Sequence, residues 1–290
     1  MPRPLVAFNP LTWYFTADGR YDATVAPPLP EIYRQLREAG FDAVHVEIPG
    51  TMTVAGYRRL LDDSGLAPAP GYFQAPFGER DTIAATTEQA RRAAGAHAEL
   101  GLERIFIADR FGDAGPRLAA PGVGAGFDRD RLDRIIEGLS AAAAAMAAEG
   151  VLPCLHPHVG TWIETPEETD AVLAGVSAET LLFGPDTGHL AWAGADPAAF
   201  IGRHLDRVGA VHLKDLRHAV RERGQDYERS TSDHLWTEPG RGDVDLAAVL
   251  STLSRFEGWY VVEVDFADQP TPQESAAVSA AWVRKHLGAG

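Results

Sequence analysis

Eight short apolar runs, each followed by a stretch with helical periodicity, constrain the fold of this chain more than any other feature. The runs are Leu5–Asn9, Ala43–Ile48, Leu66–Tyr72, Arg104–Asp109, Leu152–His156, Leu181–Asp186, Val208–Lys214 and Trp259–Asp265. Helical patterns fall at Pro30–Ala39, Val54–Ser64, Thr82–Leu100, Asp128–Glu149, Pro166–Gly175, Pro197–Leu205, Leu246–Phe256 and Gln273–Leu287. Parallel neighbours cannot be joined by a tight turn, so alternating strands and helices imply a parallel sheet. Eight such units are the count that closes a (β/α)8 TIM barrel, the expected α/β fold class. An open doubly wound sheet is the alternative, but its first turn usually carries G-x-G-x-x-G, and "AFNPLTW" has none. Local signals agree with the helices. Asp128 is placed to cap one, Gly40, Gly101 and Gly150 sit where helices end, and Pro166 and Pro197 fall in first turns.

Residues 1–290 are therefore expected to form a single barrel domain. Two loops are unusually long, Arg110–Gly126 and Arg217–Gly242, the latter carrying "RERGQDYERS". Both follow strands at the same end of the barrel and are expected to act as lids.

Charge and cysteine content narrow the function. Asp and Glu outnumber Lys and Arg by 41 to 26, a formal charge of −15, which disfavours a phosphate backbone or an anionic membrane as partner. The one cysteine, Cys154, can form no internal disulfide and fits a reducing compartment. "MPRPLVAFNP" has no apolar core of a signal peptide, and no apolar run reaches the roughly 18–20 residues that span a bilayer. A cytoplasmic location is expected.

The strand ends carry the chemistry. They finish in Asn9, Glu47, Tyr72 with Gln74, Asp109, His156 with His158, Asp186, His212 with Lys214, and Glu263 with Asp265. Buried charges are costly unless paired or bound to a metal, and in a barrel these ends converge on one mouth. Residues two apart in a strand share a face, so His156 and His158, His212 and Lys214, and Glu263 and Asp265 each point together. The set holds nitrogen and oxygen donors and no thiolate, which suits manganese, cobalt, iron, zinc or magnesium.

The segments "HPHVGTWIET", "DTGHLAWAGADP", "VHLKD", "VVEVD" and "LWTEPGRGDVDL" together resemble the xylose-isomerase-like TIM-barrel superfamily, and within it the inosose dehydratase branch. The N-terminal "NPLTW" is also similar to that branch, although Tyr14 and Phe15 replace the polar residues expected after the tryptophan. The family's metal is held by a Glu after strand five, an Asp after strand six, a His after strand seven and a Glu after strand eight. The resemblance implies Asp186, His212 and Glu263 for the last three. "LHPH" stands where the strand-five glutamate belongs, so His156 is the first choice for the fourth ligand, with Glu164 and His158 as alternatives.

One divalent metal is implied, manganese first. The implied reaction is proton abstraction next to a carbonyl of a keto-sugar or keto-cyclitol, by a lyase or isomerase. His158, Glu263 and Lys214 are the expected catalytic groups, and Glu47, Trp13, Glu164, His189 and Asp265 the expected substrate contacts. Several alternatives stay open. Lys214 can be a salt-bridge partner of Asp215 or Glu263, His189 a cap for the next turn, and Trp13, Phe73 and Trp162 core packing. Other functions within reach are a C-glycoside or 3-keto-glycoside-cleaving enzyme with a small partner subunit, a nuclease like endonuclease IV, and a non-catalytic sugar-binding protein. A homo-oligomer fits the class.

Overall fold

The computed structural model describes residues 4–288. Its strands are β1 (Leu5–Phe8), β2 (Ala43–His45), β3 (Ala67–Ala69), β4 (Tyr72–Ala75), β5 (Arg104–Asp109), β6 (Leu152–Leu155), β7 (Leu182–Phe183), β8 (Ala210–Leu213), β9 (Asp215–Leu216), β10 (Trp236–Thr237) and β11 (Trp259–Val262). Two parallel sheets run β3-β2-β1-β11-β8 and β4-β5-β6-β7. Parallel bridges Phe183↔Val208 and Asp186↔His212 join β7 to β8, which closes one seam. At the other seam β3 pairs with β2 and β4 pairs with β5, so the two short strands act as one interrupted stave. The result is an eight-staved TIM barrel, as the alternation of runs and helices implies.

The third apolar run, Leu66–Tyr72, is thus two strands rather than one. Pro70 has no N–H to give a ladder, and Gly71 lies so close to the neighbouring stave that a Cβ there would meet the Val46 carbonyl at 2.2 Å. The Gly71 amide instead donates to His97 Nε2 at 3.1 Å, tying the break to the helix Ile83–Glu99.

Period-two alternation sorts every stave. Outward positions such as Phe8, Val44, Ile105, Ile107, Leu155, Phe183, Val211, Leu213 and Val262 join the large core under the helices. Inward positions form a separate small cluster of Ala7, Ala43, Ala69, Phe106, Cys154, Ala210 and Val261. Four alanines leave room for one large ring, and Phe106 fills the barrel axis. Continuing each inward register toward the C-terminal ends gives Asn9, His45 with Glu47, Tyr72 with Gln74, His156, Asp186, His212 with Lys214, and Glu263 with Asp265. Asp109 falls on the outward register of β5, and its Oδ2 accepts from the Trp162 amide at 3.2 Å.

The helices match their expected positions within a few residues, and Asp128 caps Arg129–Ala148 by accepting from the Arg131 amide. The two long loops are structured. Segment 110–126 contains a helix, Gly115–Ala119, and segment 217–242 contains helices His218–Arg221 and Tyr227–Ser232 and strand β10, which pairs antiparallel with β9 just before the segment. No helix among the described residues is long and apolar enough to cross a membrane.

Candidate functional site

Phe106 makes the floor of the barrel mouth. Its ring lies 4.1 Å from that of His212, 5.8 Å from His156 and 6.3 Å from His45. Above it the inward residues of β6, β7, β8 and β11 crowd together. Asp186, His212 and Glu263 each offer one donor atom within 4.8 Å of the others, and so do His156, Asp186 and His189. Asp186 belongs to both triplets, and the rings of His156 and His212 are 4.7 Å apart.

These atoms face one another without bonding. His212 Nδ1 is 3.3 Å from Glu263 Oε2 and 3.7 Å from Asp186 Oδ2, yet Nδ1, Nε2 and Asp186 Oδ2 have no hydrogen-bond partner among the described residues. His156 Nδ1 is equally orphaned. All four residues are at most 5% exposed. Orphaned buried polar atoms are rare, and several gathered within a few ångströms of one another are suited to a cation. The charge balance agrees. Three buried carboxylates, Asp186, Glu263 and Asp265, face one buried ammonium, Lys214, an excess of negative charge that a divalent ion would offset. The residues present fit a divalent metal.

Lys214 Nζ bonds Glu263 Oε1 at 2.7 Å and lies 2.5 Å from Asp265 Oδ1 and 4.3 Å from the centre of the Trp236 ring. Burial alone would lower its pKa, but Asp265, Glu263 and Asp186 together hold it well above the usual lysine value. Burial pushes Asp265 up to about 6 against the pull of Lys214. Burial acts on Glu263 in the same direction, yet Lys214, His212 and His156 bring it well below the ordinary carboxylate range. The Asn9 amide also donates to Glu263 Oε2. His45 is held down at about 3 by burial and by His212, so it stays neutral.

The His158 ring lies 3.8 Å from that of His189, tilted by 40°, and its Nδ1 meets the Val159 carbonyl at 2.7 Å. A carbonyl can only accept, so Nδ1 carries the proton and Nε2 is left as the basic nitrogen. His189 caps nothing with its side chain. Its Nδ1 accepts from the Val159 amide at 3.3 Å, its Nε2 lies 3.4 Å from Lys214 Nζ, and the cap of the turn is Asp186, which accepts from the His189 amide.

The other expected contacts divide. Glu47 ends its register exposed at the mouth. Trp13 is elsewhere, a correction to the expected substrate contact. It is 3% exposed, edge-on to Phe8, with Nε1 donating to Gln35 at 2.7 Å, so its faces are covered by core. Glu164 is also reassigned. Its carboxylate accepts from the amides of Gly122, Gly124 and Gly160 at 2.8–3.1 Å and clasps segment 110–126 rather than offering oxygens to the mouth. Asp215 does the same for the "PGRGD" loop, accepting from Gly240, Gly242, Val244 and Leu216, so it is not the partner of Lys214. A Cβ at Gly242 would lie 2.3 Å from Asp215 Oδ1, so the clasp requires glycine there.

Sequence reasoning missed His45, Trp236 and Tyr227. His45 was recoverable from the inward register of its strand. The two aromatics lie in a long loop with no periodicity to read.

A family model described as xylose isomerase-like TIM barrel matches residues 33–286. The rhizopine catabolism protein MocC of Rhizobium meliloti is 31% identical over 272 residues, 90% of this chain and 81% of its own length. An inosose dehydratase of Lactiplantibacillus plantarum is 33% identical over 168 residues, which span 56% of each chain. The solved structure of an L-ribulose 3-epimerase superposes with a TM-score of 0.71 at 18% identity, covering 99% of this chain and 95% of that one. At that identity the likeness is one of fold.

Proposed function

The chain belongs to the xylose isomerase-like TIM-barrel family, and we propose that it is a divalent-metal-dependent lyase or isomerase acting on a keto-sugar or keto-cyclitol. The observation that carries this reading is a pair of donor triplets that share Asp186 at the mouth, one with His212 and Glu263 and one with His156 and His189, in which buried atoms of His156, Asp186 and His212 have no hydrogen-bond partner among the described residues. The names of the matched relatives support the substrate class, since one is an inosose dehydratase. Asp186, His212 and Glu263 hold the ion, with His156 in place of the glutamate expected on that stave, and manganese is the first choice among hard and borderline cations. When bound, the ion supplies Lewis acidity at a carbonyl, worth several kcal/mol.

The chain's own groups do the rest. His158 presents Nε2 as the base or acid beside the mouth. Lys214, fixed by Glu263 and Asp265, donates to a substrate oxygen as negative charge develops there. Glu47, His189 and Asp265 are polar contacts for the remaining hydroxyls. Segments 110–126 and 217–242, each held by a buried carboxylate, wall the mouth of one barrel domain and limit water entry.

The test is solvent exchange. Manganese-supplied protein incubated with 2-keto-myo-inositol and with 3-keto-sugars in D2O should remove the α-proton signal, with elimination or epimerisation following. A protein that contains the metal and leaves that signal intact in every keto-compound would overturn the reading.

A further inference from the structure

Segment 217–242 carries a tyrosine that lies outside the set of stave-end residues. Tyr227 opens the short helix Tyr227–Ser232, whose N-cap Asp226 accepts from the Arg229 amide at 2.7 Å. The ring is held on three sides, stacked on Trp192 at 4.9 Å, tilted on Phe111 at 4.9 Å, and parallel to His158 at 6.2 Å. The helix also meets the turn that follows the first stave. Gly19, in the turn after the first stave, packs against the Ser232 backbone, and Arg20 reaches Glu228 at 3.2 Å.

The phenol group ends in charged company. Asp265, Lys214, Glu263 and Asp186 all act on it electrostatically, and burial with Asp265 raises its pKa well above the usual phenol value. Yet its hydroxyl makes no hydrogen bond to any described residue. A rigidly held O–H that reaches a polar mouth and finds no protein partner leaves its donor for something that enters the mouth.

We propose that Tyr227 is a substrate-binding residue, donating a hydrogen bond from its hydroxyl to an oxygen of the bound polyol, so that segment 217–242 selects hydroxylated substrates. The proposal rests on the polyol reading of the site given above. It is a binding role: the ring's contacts with Trp192, Phe111 and His158 are unchanged in Tyr227→Phe, and only the O–H is lost.

The experiment is calorimetric titration of manganese-loaded wild type and Tyr227→Phe with myo-inositol and 2-keto-myo-inositol, with metal content and melting temperature measured on both. The expected result is binding about five- to tenfold weaker in the variant, the loss of one hydrogen bond, with metal content and melting temperature retained. Equal affinity in the two proteins would overturn the role of Tyr227 and leave the proposed function standing. A wild type that holds manganese but binds neither polyol would overturn the polyol reading and the Tyr227 proposal with it.

Discussion

Arg117 is 1% exposed, and its guanidinium makes four hydrogen bonds. It forks onto Glu168 at 2.6 and 2.7 Å, and donates to the Thr161 carbonyl at 3.2 Å and the Ala125 carbonyl at 3.1 Å. Glu168, at 2%, also accepts from the amides of Glu164 and Thr165 and so closes the cap of helix Pro166–Gly175. Arg117→Met keeps an apolar stem but removes the guanidinium and strands a buried carboxylate. Breaking one side of such a pair costs about 3–5 kcal/mol. For a chain of this size each kcal/mol moves the melting temperature by about 2–4 °C, so a fall of roughly 10 °C is expected. Thermal and urea unfolding of Arg117→Met, Glu168→Gln and the double variant form the assay. The double variant should be less harmed than the two singles summed, by at least about 2 kcal/mol. A loss below about 1 kcal/mol for Arg117→Met, or strict additivity, would refute the claim that this pair fastens segment 110–126.

Three further outcomes follow from the geometry. His97 is held at about 4 by burial. Its folded pKa lies below the unfolded value, so stability present above about pH 6.5 is lost as pH falls toward 4, by up to about 3 kcal/mol. In His97→Gln the slope of stability against pH in that window should be shallower by about 1.4 kcal/mol per unit, and parallel slopes would contradict this. Trp13→Phe should lower stability by about 1–3 kcal/mol, through the lost Gln35 bond and imperfect filling, while polyol affinity by calorimetry stays at the wild-type value. Asp215→Asn turns an N–H2 toward backbone donors and should cost about 1–3 kcal/mol in urea unfolding, with faster proteolysis at the "PGRGD" loop.

The barrel was legible because eight apolar runs alternate with helical patterns, and nearly every run ends in a polar residue where the register leaves the core. That pattern places Asp186, His212, Lys214, Glu263 and Asp265 together at one mouth. It also misled at the ends. Trp13 lies beyond its stave, in the turn Pro10–Tyr14, where register no longer tells mouth from outer core. Glu164 is near His156 and His158 in sequence, but the glycine amides it serves lie 4 to 42 positions away, and no local signal links them. Pro70 and Gly71 announced a break in the third run, and the apolar residues on either side hid it. The loop elements are set by single caps and clasps, such as Asp226 on the helix bearing Tyr227 and Asp215 on the "PGRGD" loop, rather than by periodicity.

Elemental analysis of protein purified without chelator and supplied with Mn²⁺, alongside Glu263→Gln, tests the central claim most directly. The account predicts about one divalent metal per wild-type chain, bound through nitrogen and oxygen donors, and a marked loss in the variant. No metal in the wild type, or equal metal in both proteins, would contradict it.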